Sequence, residues 1–156
     1  MLNITTYGDW AKAGTVLRGL NVKLMPLAIA KIDEQGRVVL EKLRGHIDKQ
    51  DLNWKPLAPS TTRIKGNAKI YEETGALKNG LGVRKIKSSK NDYSIFVGAN
   101  PWKRHSPSGL KMSDVMIYLE YGTSKIPPRP LVQPTFEEVE KEFMKDWEMI
   151  IKELLV

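Results

Sequence analysis

The C-terminal segment places the strongest demand on the rest of the chain. Phe136, Val139, Phe143, Trp147, Ile150 and Leu154 recur at three- and four-residue spacing, which puts them on one stripe of an α-helix. Glu137, Glu140, Lys141, Lys145 and Lys152 fall on the opposite, charged face. A one-sided helix is stable only when another element covers its stripe, so the chain must bring a second apolar surface to it. Thr135 and Glu138 form a T-x-x-E capping box directly after Pro134 and predict a helix over 135–155.

Upstream, residues 1–50 read as mainly helical. Leu2 and Ile4 alternate with polar residues in a short edge strand ending at Gly8. Asp9 then suits the N-cap of a helix carrying Trp10, Ala13, Val16, Leu17 and Leu20 on one face. Pro26 is expected to interrupt or restart it, because proline cannot donate to the preceding turn. Leu27, Ile32, Val39, Leu43 and Ile47 outline a second amphipathic helix, weakened by Gly36.

Residues 51–80 read as a long loop, rich in Pro, Gly, Ser and Thr, with one short helical turn after Pro59 that Ser60 is placed to cap. A β-hairpin is expected over 81–98, from Leu81–Lys87 and Tyr93–Val97, with Tyr93, Ile95 and Val97 on one face and the polar run Ser88–Asp92 as its turn. Residues 99–112 form an exposed, mobile Pro/Gly-rich loop on this reading. A short helix follows over 113–121, capped by Ser113 and ended by Gly122 in the left-handed conformation. Helices, then a hairpin, then a helix give an α+β class: one domain over 1–156, with a small antiparallel β-sheet wrapped by N-terminal helices and a C-terminal amphipathic helix.

Chemistry is sparse in this sequence. It holds no cysteine and two histidines. The first fact removes disulfides, thiol nucleophiles and Cys-based zinc sites together, and suits a reducing compartment. His46 falls near the C-terminal end of a helix and His105 in the 99–112 loop, neither inside a catalytic or metal-binding motif. Glu72-Glu73 reads as an exposed turn, and Gly80-Leu81-Gly82 lacks the Lys-Ser/Thr that a phosphate cradle needs. The expectation is a non-enzymatic protein without metal or cofactor. The segment Met1–Thr6 shows no secretory pattern, and no apolar run approaches the ~18 residues that span a bilayer.

Net charge is +7 and unevenly spread. Residues 41–112 hold fifteen Lys/Arg against six Asp/Glu, and residues 113–156 hold five against nine. A basic middle with Trp54, Tyr71, Tyr93 and Trp102 permits a nucleic-acid-binding module. The same polarity suits head-to-tail contact between copies, with Glu137 and Glu140 meeting a neighbour's basic middle, and equally a solvated surface with no partner.

Two segments are more specific. In the first, Trp54 and Leu57 give a loop stiffened by Pro56 two apolar anchors, Thr61 and Thr62 follow, and Thr74-Gly75 lets the chain reverse before Leu77. In the second, Leu119-Glu120-Tyr121-Gly122-Thr123-Ser124-Lys125-Ile126-Pro127-Pro128-Arg129-Pro130, glycine stops a helix and prolines hold the backbone extended. Arg129, clamped between Pro128 and Pro130, suits a bidentate carboxylate contact within the subunit, with Glu120 a nearby candidate, or across to a neighbour. The segment also suits a plain connection laid across the sheet.

The first run, W-x-P-L-x-x-x-T…K…E-T-G-x-L, resembles phage virion morphogenesis and tail-completion proteins. The second, E-x-G-T-S-x-x-P-x-R-P, resembles the related head–tail joining, or neck, proteins of long-tailed phages. The matching positions are Trp54, Pro56, Leu57, Thr61 or Thr62, Thr74, Gly75, Leu77, Glu120, Gly122, Thr123, Pro127, Arg129 and Pro130. The sequence departs from the pattern at Leu131, where an aromatic is usual, and at Tyr118-Leu119-Glu120, where some relatives carry Tyr-Ala and a His. Tail completion and head–tail adaptor therefore both stay open. The resemblance implies a structural virion protein forming a ring, often sixfold, assembled in the bacterial cytoplasm. Its implied partners are its own copies, the tail tube or tail terminator, head connector or adaptor proteins, and DNA passing through the lumen.

Overall fold

The computed structural model describes residues 10–89, 92–106 and 108–155. The elements run α1 (Trp10–Lys49), α2 (Pro59–Lys65), α3 (Ala76–Gly80), β1 (Leu81–Ser89), β2 (Asp92–Ala99), α4 (Met112–Tyr121) and α5 (Val132–Leu155). Among the described residues this is an α+β arrangement of five helices and one two-stranded antiparallel sheet. The strand expected at Leu2–Ile4 with its end at Gly8, the cap at Asp9, the turn residues Lys90 and Asn91, and the side chains of Trp10, Ala13, Val16, Leu17, Leu20 and Leu154 lie outside the described residues.

Where two N-terminal helices were expected, there is one, running through Pro26 without a break. Pro26 is exposed and Val22, four residues back, is 75% exposed. Water can therefore take the Val22 carbonyl that lost its donor, and the break is not forced. Gly36 likewise does not interrupt the helix. A Cβ there would stand 2.3 Å from Ile95 Cδ1, so the glycine lets β2 approach the helix surface closely.

The hairpin pairs Leu81 with Ala99, Val83 with Val97 and Lys85 with Ile95, and a bulge at Ile86 then shifts the register to Lys87–Ser94. Val83, Ile95 and Val97 gather around Gly36, and the Tyr93 hydroxyl donates to Asp33. The expected common face of Tyr93, Ile95 and Val97 is thus the one laid on α1. Arg84 and Phe96 occupy the other face, the guanidinium 5.7 Å from the ring centroid.

Helix α5 lies antiparallel along α1. Lys31 pairs with Asp146 at 3.0 Å, Trp147 Nε1 donates to Gln35 Oε1 at 3.2 Å, and Lys42 and His46 both reach Glu138. Val139 is fully buried and Phe143, Trp147 and Ile150 are half-buried, as the periodicity requires. Phe136 departs from the expected stripe: it is 53% exposed, and Thr135 is buried instead. The main core lies at the lower end of α1, where Leu43 and Ile47 pack with Ile70, Tyr71, Leu77, Leu81, Met112, Met116 and Leu131. No helix among the described residues is long and apolar enough to cross a membrane.

Two measurements check this packing. Gly36→Ala should stay within about 1 kcal/mol of wild type, since the gain in helix propensity offsets a shift of one terminal methyl. Gly36→Val should lose about 2–3 kcal/mol in urea denaturation, because two branched methyls cannot share that space. Lys42 first, and then His46, hold the Glu138 carboxyl below its ordinary value of 4.5. The stabilisation is complete above that value and is lost as pH falls through the lower folded value. Glu138→Gln should therefore flatten the acid limb of the stability–pH curve while changing stability at pH 7 by less than about 1 kcal/mol, the pair being partly exposed.

Candidate assembly site

The two motif segments meet at one joint, and a carboxylate makes it. Met112, Met116 and Glu120 form the buried stripe of α4. Glu120 therefore enters the core at a position where the helical period calls for an apolar residue. Its oxygens accept from the backbone N–H groups of Leu131 (2.7 Å), Val132 (3.0 and 3.1 Å) and Gln133 (3.1 Å). These are donors that the start of α5 leaves without helical partners, at the end where the helix dipole favours negative charge. Glu120 is thus the cap of α5, supplied by another helix.

This replaces the expected capping box. Helix α5 begins at Val132, so Thr135 is already helical and donates back to the Leu131 carbonyl at 2.6 Å. Glu138, freed from capping, pairs with Lys42 and His46. The caps expected of Ser60 and Ser113 also fail. Ala58 precedes α2, with Pro59 at its start, and Lys111 precedes α4; Ser113 turns instead toward Asp114 at 3.2 Å.

Arg129 does not pair with Glu120. Its Nε donates to the Lys55 carbonyl at 2.8 Å and its Nη2 to the Pro56 carbonyl at 3.2 Å, clamping the first motif loop. Its own N–H returns to the Leu119 carbonyl at 2.7 Å, satisfying an orphan acceptor at the end of α4. Burial lowers the guanidinium's pKa, with Tyr71 opposing. Tyr71 is buried and donates to the Arg129 carbonyl at 2.7 Å. Burial first, then Glu120, raises its hydroxyl above the usual tyrosine range, so it remains a donor. Trp54 tilts against the Tyr71 ring at 5.2 Å and donates from Nε1 to the Pro130 carbonyl at 2.6 Å.

The remaining motif residues shape the chain around this joint. Leu57 packs on the core, Leu77 is buried, and Thr62 Oγ1 donates to the Ala58 carbonyl at 3.3 Å. Thr74 Oγ1 accepts from Ala76 N–H at 3.4 Å, and Gly75, at φ 72°, starts the short helix α3, which the reading of 51–80 as loop had missed. Thr123 Oγ1 accepts from the N–H groups of Lys125 and Ile126. Gly122 ends α4 with φ 76° and ψ −179°, outside the left-handed well expected. A Cβ there would lie 2.7 Å from the Ile126 carbonyl oxygen and 2.8 Å from Pro128 N, so the tight return of the chain requires glycine. Gln50 was missed at the sequence level. Its side chain accepts from Ile70 N–H at 2.7 Å and donates to the Ile70 carbonyl at 2.9 Å, joining the end of α1 to the first segment.

Beside the joint lies a cleft of about 470 Å³ between residues 55–73 and 125–129. Leu57 and Leu119 line it among other apolar groups, and Lys55, Lys65, Lys125 and Arg129 supply its cations. His105 also lines it and is buried, although its loop was expected to be exposed; backbone bonds between His105 and both Leu110 and Gly109 fold that loop back. His105 Nδ1 lies 3.1 Å from Ser108 Oγ, and its Nε2 stands 3.9 Å from Glu73, too far for a hydrogen bond. His46, between Asp51 at 2.7 Å and Glu138 at 3.1 Å, ties the chain after α1 to α5. Glu137 and Glu140 stand exposed on the outer face of α5, where Gln133 donates to Glu137 at 2.9 Å. Among the described residues no three His, Asp or Glu side chains gather as a metal site. Comparison with protein-family models, with curated proteins and with solved structures finds no match to this chain.

Substitutions at the joint should separate its parts. Glu120→Gln keeps the shape but turns an acceptor into a donor facing N–H groups, and should cost about 2–4 kcal/mol in urea denaturation, with an unchanged m value. Gly122→Ala should cost at least as much, since neither backbone contact can give way. Exposed Thr61→Ala should stay within about 0.5 kcal/mol.

Proposed function

We propose that this chain is a structural protein of a tailed-phage virion, closing into a ring at the top of the tail or at the head–tail junction. It acts there as a tail-completion protein or a neck adaptor. The observation that carries the reading is the convergence of both motif segments on one buried frame. Trp54 bonds to a carbonyl 76 residues away, and Glu120, Tyr71 and Arg129 complete the same joint. Motif side chains spent on holding backbone, with their polar atoms turned inward, suit a part whose work is to keep a shape under load.

A ring of identical subunits needs two different, mutually fitting patches on each copy. The uneven charge supports that: cations line the cleft, and the outer face of α5 carries Glu137 and Glu140. The partners on this reading are copies of the chain in a sixfold ring, the tail tube or terminator on one side, connector or adaptor proteins on the other, and DNA in the lumen. The reading involves no turnover chemistry and no cofactor.

A nucleic-acid-binding module is the second reading, and one surface favours it. Trp102 is 83% exposed beside Lys103 and Arg104, and Arg84 lies over Phe96 on the open face of the hairpin. An exposed indole flanked by cations suits base stacking.

Mass photometry with class averages, on the purified chain with and without tail tubes, tests the choice. Closed rings, free or capping tube ends, are the expected result. A monomer that ignores tubes yet binds oligonucleotides, losing affinity steeply with salt, would put the second reading in its place.

A further inference from the structure

Arg129 presents the cleft with a charge that no carboxylate among the described residues neutralises. The residue is 4% exposed, its guanidinium donates to two carbonyls, and no Asp or Glu among the described residues pairs with it. A guanidinium removed from water is ordinarily matched by an anion. Lys65 lines the same cleft half-buried, its ammonium donating to the Lys69 carbonyl at 2.8 Å, and Lys55 and Lys125 stand exposed. Of the two carboxylates that also line the cleft, Glu72 takes Lys69 at 3.1 Å, while Glu73 stands 3.9 Å from His105, beyond hydrogen-bond reach, and together with Glu72 offsets the charge of Lys65 rather than that of Arg129. With Leu57 and Leu119 in its lining, the cleft is matched to a carboxylate carried on an apolar support.

The chain itself presents that chemistry on a separate surface. On the outer face of α5, Phe136, Glu137, Glu140 and Met144 fall at three- and four-residue spacing on one stripe. Phe136 is 53% and Met144 60% exposed, and both glutamates are exposed. These two large apolar side chains flank two acids with no basic partner among the described residues.

We propose that the Glu137–Glu140 strip of one copy docks into the Arg129 cleft of the next. Its carboxylates would meet Arg129, Lys55 and Lys125, while Phe136 and Met144 would cover the apolar lining. The inference rests on the ring reading above and names the contact that closes the ring. Cleft and strip are different patches, so each copy gives one and receives one, which is the condition for a closed cycle. Charge complementarity selects a second copy as the occupant, since both halves are present on every molecule.

The absence of cysteine makes a direct test available. K125C and E140C chains, mixed and treated with a short bismaleimide, should give covalent dimers, and the double variant K125C/E140C should give a ladder ending at the ring's subunit number. E137K/E140K should weaken self-association by on the order of tenfold or more at physiological salt, and mixing it with K55E/K125E should restore mixed assemblies; all four positions are exposed, so folding is not at stake. Rings that form without the cross-link, and whose stability stays within about twofold after charge reversal, would overturn this contact and leave the ring reading standing. Wild-type chain that forms no ring even on tail tubes would overturn both.

Discussion

A helix leaves its first N–H groups without partners, and at the entry to α5 the N–H groups of Leu131, Val132 and Gln133 end on a single carboxylate eleven to thirteen residues upstream. Much of the molecule depends on that contact. Glu120 fixes where α5 begins, and with it the register of the stripe that lies along α1. It holds the chain from Gly122 to Leu131 as a closed return, within which Arg129 is presented to the carbonyls of the first segment. Tyr71 reaches the same place from the other side, with its hydroxyl 3.5 Å from Glu120 and 2.7 Å from the Arg129 carbonyl. A charge that would be costly alone in a core becomes favourable once the dipole end of a helix and several N–H groups converge on it.

Much of the fold was legible in the sequence because it rests on periodicity. The stripe of α5, the lower half of α1 and the shared face of Tyr93, Ile95 and Val97 are repeats of an apolar residue at a fixed interval, and burial follows repeats. The joint was misread for the opposite reason. A Thr-x-x-Glu next to a proline fits a cap wherever it stands, and nothing local reveals that a distant side chain has already taken the role. The signal that pointed to Glu120 was its place after Met112 and Met116 in a buried stripe, visible only once the limits of α4 are known. Arg129 misled similarly: its partners, two carbonyls more than seventy residues away, carry no sequence signature. Gly36 and Pro26 were read as faults in a helix. The first is where a strand comes close and the second faces water, and both depend on neighbours that the sequence does not name.

Charge is divided between two tasks. Lys31, Lys42 and His46 on α1 meet Asp146 and Glu138 on α5, so part of the acidic segment serves to seat the last helix. Such partly exposed pairs contribute modestly and are screened by salt; they align two helices that apolar burial holds together. Glu137 and Glu140 stand exposed on the same helix, and among the described residues the Arg129 guanidinium meets carbonyls alone. The separation of an internally compensated face from an uncompensated one gives the polarity of the sequence a structural meaning.

The seam between α1 and α5 also bears on how the chain is made. Lys42 and Glu138 are 96 residues apart, whereas the hairpin closes between Leu81 and Ala99 and the Glu120 cap at Leu131, eleven residues on. Synthesis at roughly 5–20 residues per second leaves α1 waiting about 5–20 s before its partner helix leaves the ribosome. During that interval the flank of α1 that packs against α5, where Gln35 meets Trp147, has no cover, while the local units can already form. The helix that shields α1 is made long after it, so a nascent chain remains sticky along α1 until α5 has emerged.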